Sequence, residues 1–174
     1  MTTPNLTLIP HDPRDLLALL NGTPEYERSS GRRVAHEVRE FLLAASPEYI
    51  AALKTATAPD PWKFGFAVLH KIDNVVIGMC GFTGPPDANG AVELAYGIVP
   101  SYQGKGYATE AAAALVDLAS ADPRVRIIRA HTLPERNAST RVLEKCRFRK
   151  IGEVVDPENN LVWGWERKLA PSQT

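Results

Sequence analysis

The sequence predicts a single mixed α/β sheet, and three observations carry that prediction. Strand-like and helix-like segments follow one another in the order βαα-βββ-αβ-αββ, with no internal repeat or low-complexity tract, so one sheet accounts for the chain. A glycine-rich loop, Gln103-Gly104-Lys105-Gly106, stands between an apolar run and an alanine-rich helical face. The length of 174 residues suits one domain with a real core, so 1–174 is expected to be a single domain, its core spanning about 5–169.

Leu6 and Leu8 mark a short first strand, and Asp12-Pro13 opens a helix where first-turn proline fits. Gly22 ends it. The polar stretch Thr23 to Arg33, with Pro24, Ser29, Ser30 and Gly31, reads as a mobile loop. Val34, Val38, Phe41, Leu42 and Ala45 then share one helical face, and Ser46-Pro47-Glu48 caps a second helix through Tyr49, Ile50 and Leu53. Pro59-Asp60-Pro61 breaks the helical pattern. Phe64 to Lys71 and Val75 to Phe82 read as a hairpin closed by Asp73-Asn74, a pair that accepts positive φ. A longer turn, Gly84 to Gly90, leads into a strand from Ala91 to Val99. Ala108, Ala111, Ala112, Leu115 and Ala119 then give a helix from Gly106 to about Ser120. A buried strand over Val125 to Thr132 follows, then a helix over Ser139 to Lys145. Phe148 to Val155 and Leu161 to Lys168 form a last hairpin around Asp156-Pro157-Glu158-Asn159-Asn160.

A glycine-rich turn at a helix start is an anion site. Exposed N–H groups face outward with the positive end of the helix dipole behind them, and glycines admit close approach. Neither common nucleotide motif fits, because no Gly-x4-Gly-Lys-Ser/Thr string occurs and the three spaced glycines of a dinucleotide fingerprint are absent. The segment instead resembles the pyrophosphate loop of the GNAT acetyltransferase superfamily, Gln/Arg-x-x-Gly-x-Gly/Ala, met here by Gln103, Gly106 and Ala108. Upstream, Val92-Glu93-Leu94-Ala95-Tyr96-Gly97-Ile98-Val99-Pro100 is similar to the central strand of that superfamily's Rim-type branch, which modifies ribosomal-protein N-termini. Downstream, Asn137 to Phe148 is similar to its Asn-x-x-Ser … Val-Leu-Glu-Lys-x-Gly-Phe helix. The resemblance is strong from Ala91 to Lys168 and rests on element order before that. Two departures stand out. Arg147 occupies the usual glycine position, and the asparagine has two registers: Arg136 with Ser139, or Asn137 with Thr140.

The resemblance implies a mostly antiparallel sheet of about seven strands, helices on both faces, and a splay between the fourth and fifth strands. It implies acetyl-coenzyme A as cosubstrate, its diphosphate on Gln103, Gly104, Lys105, Gly106, Tyr107, Ala108 and Thr109. Pantetheine is expected along the backbone of Ile98 and Val99, with Asn137 a further cofactor contact. The implied activity is acetyl transfer to a primary amine, either a protein N-terminus or a small molecule such as an amino acid, polyamine or drug, by direct attack. A non-catalytic acyl-coenzyme A binding module is the alternative, suggested by Arg147 and by the absence of a tyrosine after Tyr107, since many relatives carry one near the last helix.

An alkyl amine with a pKa near about 10 must lose a proton to react, so a base is needed. Strand alternation puts Glu93 on one face with Ala95, Gly97 and Val99, which leaves room for an acceptor, while Val92, Leu94, Tyr96 and Ile98 take the bulkier face. Glu93 is the candidate base; pairing with a surface cation is its other reading. Ser139 is the candidate acid, or an N-cap or cofactor contact. Cys146 reads as packing. Arg28, Arg32 and Arg33 sit in the early loop that the resemblance places near the acceptor, where they read an acidic substrate or are solvated, and Trp62, Trp163 and Trp165 either line an acceptor pocket or pack.

Formal charge is zero, with 20 basic and 20 acidic residues, which removes any global field for nucleic acid or anionic membrane. No apolar run approaches the roughly 20 residues of a membrane span, and no signal-like segment opens the chain, so a cytoplasmic location is expected. Cys80 and Cys146 are expected to be free thiols. His11, His36, His70 and His131 lack ligand spacing, and no metal site is expected. The expected partner is thus a small-molecule or peptide amine, with homodimerisation left open.

Overall fold

The computed structural model describes residues 1–158 and 160–169. Its strands are β1 (Leu6–Pro10), β2 (Arg33–Val34), β3 (Phe66–His70), β4 (Val75–Phe82), β5 (Ala91–Ile98), β6 (Ile127–Thr132), β7 (Arg149–Val155) and β8 (Leu161–Lys168). The helices are α1 (Pro13–Asn21), α2 (Thr23–Ser30), α3 (Val38–Leu43), α4 (Pro47–Thr55), α5 (Pro61–Phe64), α6 (Tyr107–Ala121) and α7 (Ala138–Lys145), with a 3-10 turn over Pro100–Tyr102. The sheet runs β1-β3-β4-β5-β6-β8-β7, and the two-residue β2 pairs with β4. Neighbours are antiparallel except β5–β6 and β2–β4.

One break in this sheet makes the site. β5 and β6 pair only through Ala91–Ile127, Val92–Ile128 and Glu93–Arg129, after which they part. The expected splay is therefore present, between the fourth and fifth strands of the seven-strand path. Val99 N–H donates to the Ile77 carbonyl at 2.9 Å and Thr83 N–H to the Glu93 carbonyl at 2.9 Å, so the odd-numbered residues of β5 bond to β4. Alternation turns the backbone groups of Leu94, Tyr96 and Ile98 toward the gap that β6 has left.

Buried Leu6, Leu8, Val68, Ile77, Leu115, Ile128 and Leu143 join strands and helices into one core. α6 presents Ala111, Ala112, Leu115 and Ala119 to it, small side chains that let the helix lie close to the sheet. Glu110, in the first turn of α6, accepts hydrogen bonds from the N–H groups of Asn5 at 2.7 Å and Leu6 at 3.2 Å and from Thr3 Oγ1, which ties β1 to that helix. Burial opposes its ionisation, but these bonds outweigh it and hold the carboxyl below its ordinary range.

Three expectations change. Phe64, read as the head of a strand, ends helix α5, and β3 begins at Phe66. The stretch read as a mobile loop is helix α2, which starts with Pro24 in its first turn and stops at Gly31, φ 70°. It hides only Tyr26, so it carries no amphipathic pattern to read. The helical face drawn from Val34 is split: Val34 belongs to β2, and α3 begins at Val38. Arg147 takes φ +63°, the left-handed region, which explains why glycine suits this position. Asn74, at φ 51°, closes the β3–β4 connection as expected.

Candidate active site

Below the splay, the glycine-rich turn leads into α6. Gly104 has φ +73° and Gly106 +87°, and a Cβ built on either would meet nothing within 4 Å. The left-handed backbone is what restricts these positions to glycine. Beyond them lies open space in front of the N–H groups at the start of the 15-residue helix α6. A network underneath braces the turn. His70 Nε2 lies 2.9 Å from the Tyr107 hydroxyl, and the Tyr102 hydroxyl donates to Asp73 Oδ2 at 2.6 Å. That last bond, with His70 3.1 Å from the same carboxylate, holds the Asp73 carboxyl below its usual range.

The turn, the end of β5 and α7 enclose a cavity of about 530 Å³. Of the residues singled out from the sequence, Ile98, Gln103, Gly104, Gly106, Tyr107, Ala108, Thr109 and Ser139 line it. Others lie elsewhere. Val99 is fully buried with its N–H committed to β4. Lys105 Nζ donates to the Ser101 carbonyl at 3.3 Å. Asn137 caps α7: its side chain accepts from Thr140 N–H at 3.0 Å, and its own N–H donates to Thr140 Oγ1 at 3.1 Å. The capping box thus joins Asn137 to Thr140 and leaves Ser139 facing the cavity. Gln103 Nε2 donates to the Ile98 carbonyl at 2.8 Å, which closes one of the gap-facing groups.

Three of the cavity residues that bear on the chemistry were not singled out from the sequence. Arg141 and Lys145 stand one turn apart on one face of α7 and bring two cations to the cavity that Ser139 also lines. Their spacing, i and i+4, was the available signal. The third is Tyr96, whose hydroxyl lies 3.0 Å from Ser139 Oγ. Burial raises its pKa and the Ser139 contact works against that, so it stays a protonated hydroxyl near neutral pH. A hydroxyl thus faces the gap from β5, where sequence bulk alone suggested packing.

A second cavity, about 350 Å³, adjoins the first across Phe41, Tyr96 and Gly97, and Ala95 and Cys80 also line it. Phe41 lies so close to Gly97 that an added Cβ would come within 3.0 Å of its ring. Burial pushes the Cys80 thiol up to about 12, so it is no thiolate nucleophile. Cys146 is buried, and burial raises its pKa as well.

Glu93 lies outside both cavities, four residues and roughly 13 Å along the strand from Gly97. Its Oε1 is 2.7 Å from His131 Nδ1, a hydrogen bond that crosses from β5 to β6 where the strands part. Arg28 pairs with Glu25, and Arg32 lies 4.0 Å from Asp15; neither lines a cavity, nor does Arg33. Trp163 and Trp165 line a separate hollow against α7, and Trp62 packs on Phe82. Among the described residues no cluster of three His, Cys, Asp or Glu side chains has metal-binding geometry, and no helix is long and apolar enough to cross a membrane.

Comparison with known proteins agrees with this geometry. The family model described as "Acetyltransferase (GNAT) domain" matches residues 5–149. An uncharacterized N-acetyltransferase, p20, of Bacillus licheniformis is 33% identical over 93 residues, 53% of this chain and 52% of that protein, so the match spans about half the relative's length. The ribosomal-protein-S5-alanine acetyltransferase of Vibrio fischeri superposes with a TM-score of 0.68 over 100% of this chain and 98% of its own, at 17% identity. RimL, a ribosomal L7/L12 alpha-N-protein acetyltransferase solved with coenzyme A, gives 0.64 over 97% of each chain, also at 17% identity.

Proposed function

The chain belongs to the GNAT acetyltransferase family, and we propose that it works as a single domain that transfers acetyl from acetyl-coenzyme A to a primary amine by direct attack. The observation that carries this reading is the cleft where β5 leaves β6: a glycine turn at a helix start, two cations and strand-like backbone groups line one cavity. A diphosphate suits the Gly104–Thr109 turn with Arg141 and Lys145, and an amide-bearing arm suits the Leu94 carbonyl and the backbone groups of Tyr96, which face the gap beyond the last β5–β6 pair. The surroundings of Gly106 suit such a ligand, since a Cβ built there would meet nothing within 4 Å.

Bound acetyl-coenzyme A supplies an acetyl thioester, whose thiol, with a pKa near about 8.5, is a fair leaving group. The protein's own groups do the rest. The acceptor amine enters beside Gly97, where the two cavities meet. Direct attack is favoured over an acyl-enzyme because Cys80 is held as a thiol. Glu93, too far along the strand for direct contact, takes the amine proton through water, and His131 orients its carboxylate. The Tyr96 hydroxyl, partnered by Ser139, lines the same cavity and would supply a proton to the departing thiolate. The cytoplasm, where acetyl-coenzyme A and amines coexist, is the compartment that this activity implies.

A thiol-release screen over amine libraries and N-terminal peptides tests the proposal. Coenzyme A released in step with an acetylated amine is expected. Acetyl-coenzyme A binding without turnover of any amine overturns the transferase reading and leaves a binding module.

A further inference from the structure

The second cavity differs from the first in what it lacks. Its walls are largely apolar and carry five phenyl or phenol rings, Phe41, Tyr49, Phe64, Phe82 and Tyr96, with Tyr49 and Phe64 edge to face at 5.8 Å between centroids. Among the described residues that line it, none is an aspartate or glutamate. Among those described residues the only full cation is Lys63, whose Nζ lies 3.8 Å from Asp60 Oδ2.

From these walls we infer that the acceptor is a monoamine on an apolar body, and that polycations are disfavoured. The inference rests on the transferase reading above and names the acceptor class of that site. An apolar body gains by leaving water for aromatic walls, and ring faces also tolerate one ammonium. A second ammonium carried into the same space finds no carboxylate and meets Lys63, and a buried charge without a partner is costly.

His11 also lines this cavity and supplies no anion: it is 4% exposed, and burial holds its pKa down to about 3, so the ring is neutral.

The shared chemistry, one amine beside an apolar group, occurs in arylalkylamines and in peptides whose first residue is apolar. Thiol release at saturating acetyl-coenzyme A, with 2-phenylethylamine, a short peptide beginning with phenylalanine, the same peptide beginning with aspartate, and spermidine, separates the cases. At least one of the first two is expected to exceed both spermidine and the aspartate peptide in kcat/KM by at least about tenfold, and the faster one assigns the source. Ala44→Asp, at an exposed position on the cavity wall, should narrow the gap by raising the spermidine rate. Faster turnover of spermidine than of both apolar amines by the unaltered protein, or a ratio unmoved in Ala44→Asp, overturns the acceptor class and leaves the transferase reading standing. Cofactor binding with no amine turned over overturns both.

Discussion

Glu93 and His11 carry the most chemistry per residue, and each makes a different demand. If Glu93 removes the amine proton through water, Glu93→Gln keeps the shape and loses the basicity. Turnover should fall by roughly ten- to ten-thousand-fold with cofactor affinity nearly intact, and recover in part at high pH, where more amine is already neutral. An unaltered rate–pH profile removes Glu93 from the mechanism. His11 bears on stability. Burial is the main reason its pKa drops from 6.5 to about 3, with Arg32 adding to the effect and a hydrogen bond to the Phe66 backbone opposing it. Between those values the unfolded chain binds a proton that the folded one refuses, so this contribution is complete above the unfolded pKa and is lost as pH falls toward the folded one. Melting temperature should therefore decline between pH 7.5 and pH 5, before most carboxylates protonate. His11→Gln should flatten that decline; an unchanged slope rules His11 out as its source. Glu93 could be singled out from strand alternation, whereas the burial of His11 could not, because nothing within the sequence shows what packs over the end of β1.

At the scale of elements, the loop before α6 was legible because its composition is its mechanism. Gly104 and Gly106 adopt the positive φ that glycine tolerates, and the alanine face behind them docks the helix. Gly106→Val should weaken cofactor binding without unfolding the protein. The new Cβ meets no protein atom, but it enters the space in front of the N–H groups and demands a φ that valine resists. Calorimetric titration with acetyl-coenzyme A checks this, and an unchanged affinity would mean the phosphate site is misplaced. Less legible were α2, whose single buried side chain leaves no periodicity, and the role of α7. The Asn137–Thr140 capping box shows which residues end up inside the helix end and which face the cleft, and so brings Arg141 and Lys145 into view. Tyr96 escaped notice for another reason: its strand face is the bulky one, and only the parting of β6 turns that face into a cavity wall.

Across the whole molecule, one sheet is divided by one event, the separation of β5 from β6 after Glu93, and everything proposed for the chain depends on that cleft receiving a long ligand with phosphate at one end and amides along its length. A thermal-shift comparison of acetyl-coenzyme A with ATP and NAD at equal concentrations tests this most directly, because a ligand that binds only the folded state raises its stability by mass action. All three carry phosphates, but only the first carries an arm able to pair with the gap-facing groups of Leu94 and Tyr96. Acetyl-coenzyme A is expected to raise the melting temperature clearly and the other two much less; equal stabilisation by ATP would contradict the account.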